Sequence, residues 1–233
     1  MTPARLARLK RFFDNRQTDL TVCLEHVHKT HNLSAIVRTA DAVGVHNVHA
    51  IMALDNPLRS GLRTGTARGT QNWVNVHKHD QLSDALQTFK AQGMQLVATH
   101  LSDTAIDFRE VDYTKPTAIL LGQEKYGISK QALAAADQHI MIPMVGMVQS
   151  LNVSVASALI LYEAQAQREK AGLYGRCTLD EAEQQRLLFE RGHPVFAELC
   201  IRKGLPYPYI NQEGEIEADD DWWQKMQAVQ TPA

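Results

Sequence analysis

Between Leu20 and Glu163 short, continuously apolar runs alternate with amphipathic ones, and this alternation restricts the fold more than any other property of the chain. Residues 20–27, 45–52, 73–77, 94–99, 117–121 and 140–142 read as strands. Residues 33–43, 81–92, 129–137 and the run from 150 to 163 read as helices. A strand apolar at successive positions, rather than at every second one, must be buried on both faces. Such strands belong to a parallel sheet covered by helices on each side. The expectation is an α/β domain over residues 20–170 with a mostly parallel sheet flanked by helices.

Outside that domain the pattern is helical. Residues 1–19 form a basic N-terminal extension, with Leu6, Leu9, Phe12 and Phe13 on one side of a helix over 3–17. Residues 171–233 form a C-terminal helical extension. There Thr178-Leu179-Asp180-Glu181 has the form of a capping box, a helix follows Pro194 and ends at Gly204, and Trp222 and Trp223 fall in a last short helix.

A hydrophobic content of 44% and a charged content of 21% over 233 residues suit a globular protein with a substantial core. No apolar run approaches the ~18 residues of a membrane span, and no apolar signal core opens the chain. Cys23, Cys177 and Cys200 are odd in number, widely spaced and free of any C-x-x-C pattern. The expectation is reduced thiols in a cytoplasmic protein without a membrane partner. The net charge of −2 hides an uneven distribution. Arg5, Arg8, Lys10, Arg11 and Arg16 crowd the N-terminus, and Arg59, Arg63 and Arg68 recur in a Gly- and Thr-rich segment, whereas acids gather from Glu213 to Asp221. Local basic patches decide whether a phosphate backbone is attracted; a solvated amphipathic helix accounts for the first cluster equally well.

Open parallel sheets bind ligands at the carboxyl ends of their strands. Four such ends carry polar or glycine-containing loops, at 28–32, 99–101, 122–124 and 145–152. Asn32 fits the N-cap of the helix over 33–43, which Gly44 closes, and Ser150 fits the N-cap of the last helix of the domain. Leu151, Val155, Leu159 and Tyr162 recur at helical steps and read as its packed face, while Asn152 and Ser154 need partners if buried. Arg38 and Asp41 are spaced for an i, i+3 ion pair. Glu124 is either a general base or a surface carboxylate beside Lys125. No phosphate loop, nucleophile elbow or H-E-x-x-H is present. His26, His28 and His31 lack a suitably spaced carboxylate or thiol, so no metal is expected. On these grounds alone the ligand class stays open.

Three runs go further: 32–44, Asn-Leu-Ser-Ala-Ile-Val-Arg-Thr-Ala-Asp-Ala-Val-Gly; 121–129, Leu-Gly-Gln-Glu-Lys-Tyr-Gly-Ile-Ser; and 142–146, Ile-Pro-Met-Val-Gly, with 150–156, Ser-Leu-Asn-Val-Ser-Val-Ala. In order and spacing they resemble the three motifs of the SpoU branch of the SPOUT RNA methyltransferases. The resemblance implies a deep trefoil knot at the C-terminal end of the sheet, a rare exception to ordinary topology. It also implies S-adenosylmethionine as cofactor and a homodimer with active sites at the subunit interface. Carried over by motif, Asn32 and Arg38, then Glu124, then Ser150 and Asn152 form the catalytic set. Thr99, Gly122, Ile142 and Leu151 would contact the cofactor. Arg8, Arg11, Arg59, Arg63 and Arg68 are assigned to the RNA backbone. The flanking helices are similar to those of members that methylate the ribose 2′-hydroxyl of guanosine-18 in the tRNA D-loop. The alternatives are the tRNA wobble nucleotide, ribosomal RNA, or a non-catalytic RNA-binding protein.

Overall fold

The computed structural model describes residues 1–26, 29–52, 73–123 and 126–228 and divides into two compact units. One unit, Gln17–Tyr174, is built on a seven-stranded sheet. Its strands are β1 (Gln17–Glu25), β2 (Val45–Ile51), β3 (Asn75–His79), β4 (Gln95–Thr99), β5 (Ile106–Asp107), β6 (Thr117–Leu121) and β7 (Gln138–Met141). The spatial order is β3-β2-β1-β6-β4-β7-β5, and every pairing is parallel. The continuous apolar runs have the expected cause. In β1, Leu20, Val22 and Leu24 enter one core cluster while Cys23 enters another; in β6, Ile119 and Leu121 alternate with Ala118 and Leu120 in the same way.

Helices cover both faces. Leu33, Ile36, Val37 and Ala40 of α2 (Thr30–Ala42) share the first cluster with Ile160, Leu161 and Ala164 of the helix Val153–Lys170. On the other face α3 (Leu82–Ala91) contributes Leu82, Ala85 and Phe89, and α4 (Lys130–Ala135) contributes Ala132. The helix Val153–Lys170, here α5, departs from the expected face. Its buried residues are Val153, Ser157, Ile160, Leu161, Ala164 and Arg168, whereas Val155, Leu159 and Tyr162 are 46%, 42% and 53% exposed. Two apolar stripes run along α5, and the one expected inside faces away from the sheet. At its far end the buried Arg168 donates to Gln17 Oε1 (2.7 Å), the Tyr113 carbonyl (3.0 Å) and Asp19.

The other unit comprises Met1–Arg16 and the chain from Gly175 onward. The helix α1 (Pro3–Asp14) buries Leu6, Leu9 and Phe13 and leaves Arg8 and Arg11 exposed. Arg16, by contrast, is buried over the Phe12 ring. The helix α6 (Glu181–Gly192) is capped by Asp180, whose carboxylate accepts from Glu183 N at 2.7 Å. Thr178, expected in that role, instead donates to the Arg16 carbonyl. After α7 (Pro194–Lys203), which ends on left-handed Gly204 as expected, come the short pair β8 (Tyr209–Ile210) and β9 (Ile216–Glu217), and then α8 (Asp220–Gln227). Trp222 is buried and donates from Nε1 to the Pro206 carbonyl. No described helix is long and apolar enough to cross a membrane.

Candidate active site

The carboxyl ends of β4, β6 and β7 lie side by side, and the chain leaving each one lines a cavity of about 220 Å³. Thr99, His100 and Leu101 come from the end of β4, and Gly122, Gln123, Gly127 and Ile128 from the chain after β6. Ile142, Met144, Gln149, Ser150 and Leu151 follow β7, and α5 adds Val153, Ala156 and Ile160. All four residues expected to contact the cofactor, Thr99, Gly122, Ile142 and Leu151, are therefore brought together. Thr99 spends its hydroxyl on the Leu120 carbonyl (3.3 Å), so what it offers the cavity is backbone and methyl surface.

Gly122 has a steric reason to be glycine. A Cβ there would lie 2.2 Å from the carbonyl carbon of Gly127 and 2.3 Å from Ile128 N, atoms of backbone that cannot swing aside. The close approach is fixed by reciprocal bonds between Gln123 and Gly127, at 3.1 and 2.9 Å, and Gly127 makes the turn at φ +68°.

The expected catalytic set is divided. Ser150 is exposed at the cavity and does not cap α5. That role belongs to Asn152, whose Oδ1 accepts from Ser154 N at 2.8 Å and Ser154 Oγ at 2.6 Å. Asn32 is no cap either. The helix α2 begins two residues earlier after Lys29, which provides no side-chain cap, and Asn32 turns inward in the first turn with only 2% of its surface exposed. There it accepts from Asn152 Nδ2 at 3.4 Å. Asn32, Ser150 and Asn152 thus gather where α2 meets the start of α5. Arg38, six residues along α2, is exposed and does not line the cavity of its own chain. Its spacing-allowed ion pair with Asp41 is absent from the ion pairs among the described residues. Glu124, Arg59, Arg63 and Arg68 lie outside the described residues.

The lining is chemically informative. Apolar side chains, backbone amides and carbonyls, and the uncharged Gln123, Gln149 and Ser150 make up most of it, and among the described residues it includes no Lys, Arg, Asp or Glu. That suits a neutral heteroaromatic base and a thioether or sulfonium chain. Among the described residues no His, Cys, Asp and Glu group is arranged for a metal. His100 and Gln149 fall in the strand-end loops 99–101 and 145–152 and Met144 in the third motif, but nothing in the sequence singles any of them out as a cofactor contact, since only strand order makes them lining.

The SpoU rRNA Methylase family matches residues 19–162, and its C-terminal companion, SpoU rRNA methylase, matches 166–219. The chain is 62% identical over 233 residues to the tRNA (guanosine(18)-2′-O)-methyltransferase of Escherichia coli strain K12, covering 98% of this chain and 100% of that one. It superposes on the crystal structure of the A. aeolicus TrmH/SpoU tRNA modifying enzyme with a TM-score of 0.75 at 45% identity, over 82% of this chain and 96% of that one. An AdoMet-bound rRNA methyltransferase from Sinorhizobium meliloti is similar at a TM-score of 0.56 and 28% identity, over 66% of this chain and 59% of that one. With strand ends, glycine turn and motif order all in agreement, the chain belongs to the SpoU methylase family.

Proposed function

We propose that this protein transfers the methyl group of S-adenosylmethionine to the ribose 2′-hydroxyl of guanosine-18 in the tRNA D-loop. The observation that carries this reading is the 62% identity, over essentially the whole of both chains, to an enzyme named for that reaction. The largely apolar described lining of the cavity at the ends of β4, β6 and β7 fits the cofactor, which Thr99, Gly122, Ile142 and Leu151 would hold through backbone groups and apolar surface. When bound, S-adenosylmethionine supplies an electrophilic methyl group on a sulfonium centre.

The chain's own residues orient the acceptor. Asn152 and Asn32 tie the start of α5 to α2, and Ser150, on the cavity lining, would meet the incoming ribose. A guanidinium stays protonated in proteins, so Arg38 grips an RNA phosphate in bidentate fashion and orients the ribose. The gripped phosphate is then the nearest acceptor for the hydroxyl proton. Glu124, by its place in the second motif, holds that loop or Arg38. Arg8 and Arg11, with Arg59, Arg63 and Arg68, would carry the tRNA backbone, within a three-part chain of extension (1–19), catalytic domain (20–170) and extension (171–233).

We place a second copy of the chain against the cavity. Val155, Leu159 and Tyr162 expose an apolar stripe on α5, and Val145 and Met147 project fully into solvent beside the cavity. An Arg38 that does not line its own cavity supports a role on the partner's. The return of β7 between β4 and β5, after β6 has entered between β1 and β4, supports the trefoil knot. The free cysteines support a reducing, cytoplasmic setting. The test is transfer of tritiated methyl to an unmodified tRNA transcript, followed by mapping of the product nucleotide. Label at guanosine-18, lost when that nucleotide is replaced, is expected. Label at the wobble nucleotide or only on ribosomal RNA, or no transfer, overturns the reading.

A further inference from the structure

Glu25 is the last residue of β1, and only 5% of its surface is exposed. By strand alternation its side chain shares the sheet face of Cys23, where Ile51, Ile128 and Ala132 form an apolar cluster. A carboxylate in such a place is costly unless hydrogen-bonded. Glu25 Oε2 accepts the backbone N–H of Ser129 at 2.7 Å. Ser129 in turn caps α4, its Oγ accepting from Ala132 N at 3.1 Å. The two residues before Ser129 are Gly127 and Ile128, both cavity lining. The wall they form is thus clamped at two points: through Gly127 to Gln123, next to the steric contact at Gly122, and through Ser129 to Glu25.

We infer that Glu25 is a positioning residue for the cofactor cavity: its carboxylate, through the Ser129 amide, holds the Gly127–Ile128 backbone at the distance from Gly122 at which the nucleoside is gripped. Glu25 touches neither cofactor nor RNA in this scheme. The inference deepens the cofactor reading above and rests on it. An apolar residue would pack the same site without the cost of burying a charge, but it would leave the Ser129 N–H without an acceptor and the wall free to shift.

The test is calorimetric binding of S-adenosylmethionine and S-adenosylhomocysteine to the full-length chain and to Glu25→Ala, Glu25→Asp and Glu25→Gln, alongside tRNA binding without cofactor. Glu25→Ala and the shorter Glu25→Asp are expected to bind both nucleosides about tenfold more weakly. Glu25→Gln, whose amide oxygen still accepts from Ser129, should stay within about threefold, and tRNA affinity should be unchanged throughout. In turnover, KM for the cofactor rises while kcat is retained. If Glu25→Ala does not fold, Glu25→Asp and Glu25→Gln carry the comparison. A folded Glu25→Ala or Glu25→Asp that binds both nucleosides like the unaltered chain overturns the inference alone. So does a Glu25→Gln as weak as Glu25→Asp, or a parallel loss of tRNA affinity, which would indicate a general structural role. Failure of the unaltered chain to bind either nucleoside removes the cofactor reading itself, and the inference with it.

Discussion

The side-chain amide of Asn152 reaches Asn32 Oδ1 at 3.4 Å, so the residue that caps α5 also ties it to the first turn of α2. The two duties separate by substitution. Asn152→Asp keeps an oxygen for the Ser154 N–H but has no N–H of its own to donate at neutral pH. Its urea unfolding free energy should stay within about 0.5 kcal/mol of the parent, because capping is retained. Its methyl-transfer rate should fall at least about tenfold, the price of one charge-perturbed, misoriented contact. Asn152→Ala loses the cap as well and should cost about 1 kcal/mol in addition. An Asn152→Asp variant with full activity would show that the link between helices is dispensable.

Arg38 is exposed on α2 and does not line the cavity of its own chain. If it serves the partner's cavity, two inactive variants should complement. Mixing Arg38→Ala chains with Gly122→Val chains under exchange gives heterodimers in which one site combines an intact cavity with an intact arginine. With random pairing, half the dimers are mixed and one of their two sites works, so activity should recover to about a quarter of the parent value. Each variant alone should be inactive, and Arg38→Ala should still bind S-adenosylhomocysteine. Absence of recovery from two inactive variants, with heterodimers verified by mass, would place Arg38 in its own site, and an active Arg38→Ala would place it outside the chemistry.

Two glycines near the cavity make opposite claims. A Cβ on Gly122 meets Gly127 backbone at 2.2 Å, whereas a Cβ on Gly146 meets nothing within 4 Å. Gly122→Ala must push the Gly127–Ile128 wall outward, and calorimetry should show cofactor affinity reduced more than about tenfold, as for other overpacked sites. Gly146→Ala should bind S-adenosylmethionine like the parent. Equal behaviour of the two variants would mean that the wall yields without consequence.

The sheet was legible because burial on both faces leaves an unbroken apolar run, and residues 22–24 of β1 and 118–121 of β6 have no other reason to be apolar at successive positions. The two-residue β5 was too short to leave such a trace. The packed face of α5 was misjudged for a definite reason. Val155, Leu159 and Tyr162 form one apolar stripe, Val153, Ile160, Leu161 and Ala164 another, and a helix apolar on two sides has no periodicity that tells its own sheet from another surface. Caps were misplaced where two capable residues stand close together, as Ser150 and Asn152 do, since only the path of the chain decides which is used. Asn32 shows the converse: a side chain suited to capping was drawn inward by a partner 120 positions away. The cavity residues Thr99, Gly122, Ile142 and Leu151 came from resemblance to the family's motifs rather than from a local physical signal, and of these Gly122 has a steric reason for its identity. Glu25 was not, because its partner Ser129 is near it only once β1 and β6 pair.

At the opposite edge of the sheet His49 is stacked on His77 and His79, with ring centroids 4.8 and 5.1 Å away, and Phe89 of α3 closes over it edge-on at 4.8 Å. His49 Nδ1 lies 2.8 Å from His79 Nε2. Burial, reinforced by the charges of His77 and His79, lowers the His49 pKa from 6.5 to about 3. Burial lowers that of His79 as well, against the opposing pull of Asp84. The folded chain therefore keeps His49 neutral at a pH where the unfolded chain protonates it. Stability is full above about pH 6.5 and is lost as pH falls from there towards the folded value, with a slope of up to about 1.4 kcal/mol per pH unit for one such group. Urea unfolding between pH 7.5 and 4 should show this decline. His49→Leu, which removes the proton site, should flatten it by about 1 kcal/mol per unit below pH 6. A slope unaltered by that substitution would mean that the unfolded chain takes up its protons at other groups and that the histidine stack is neutral to acid.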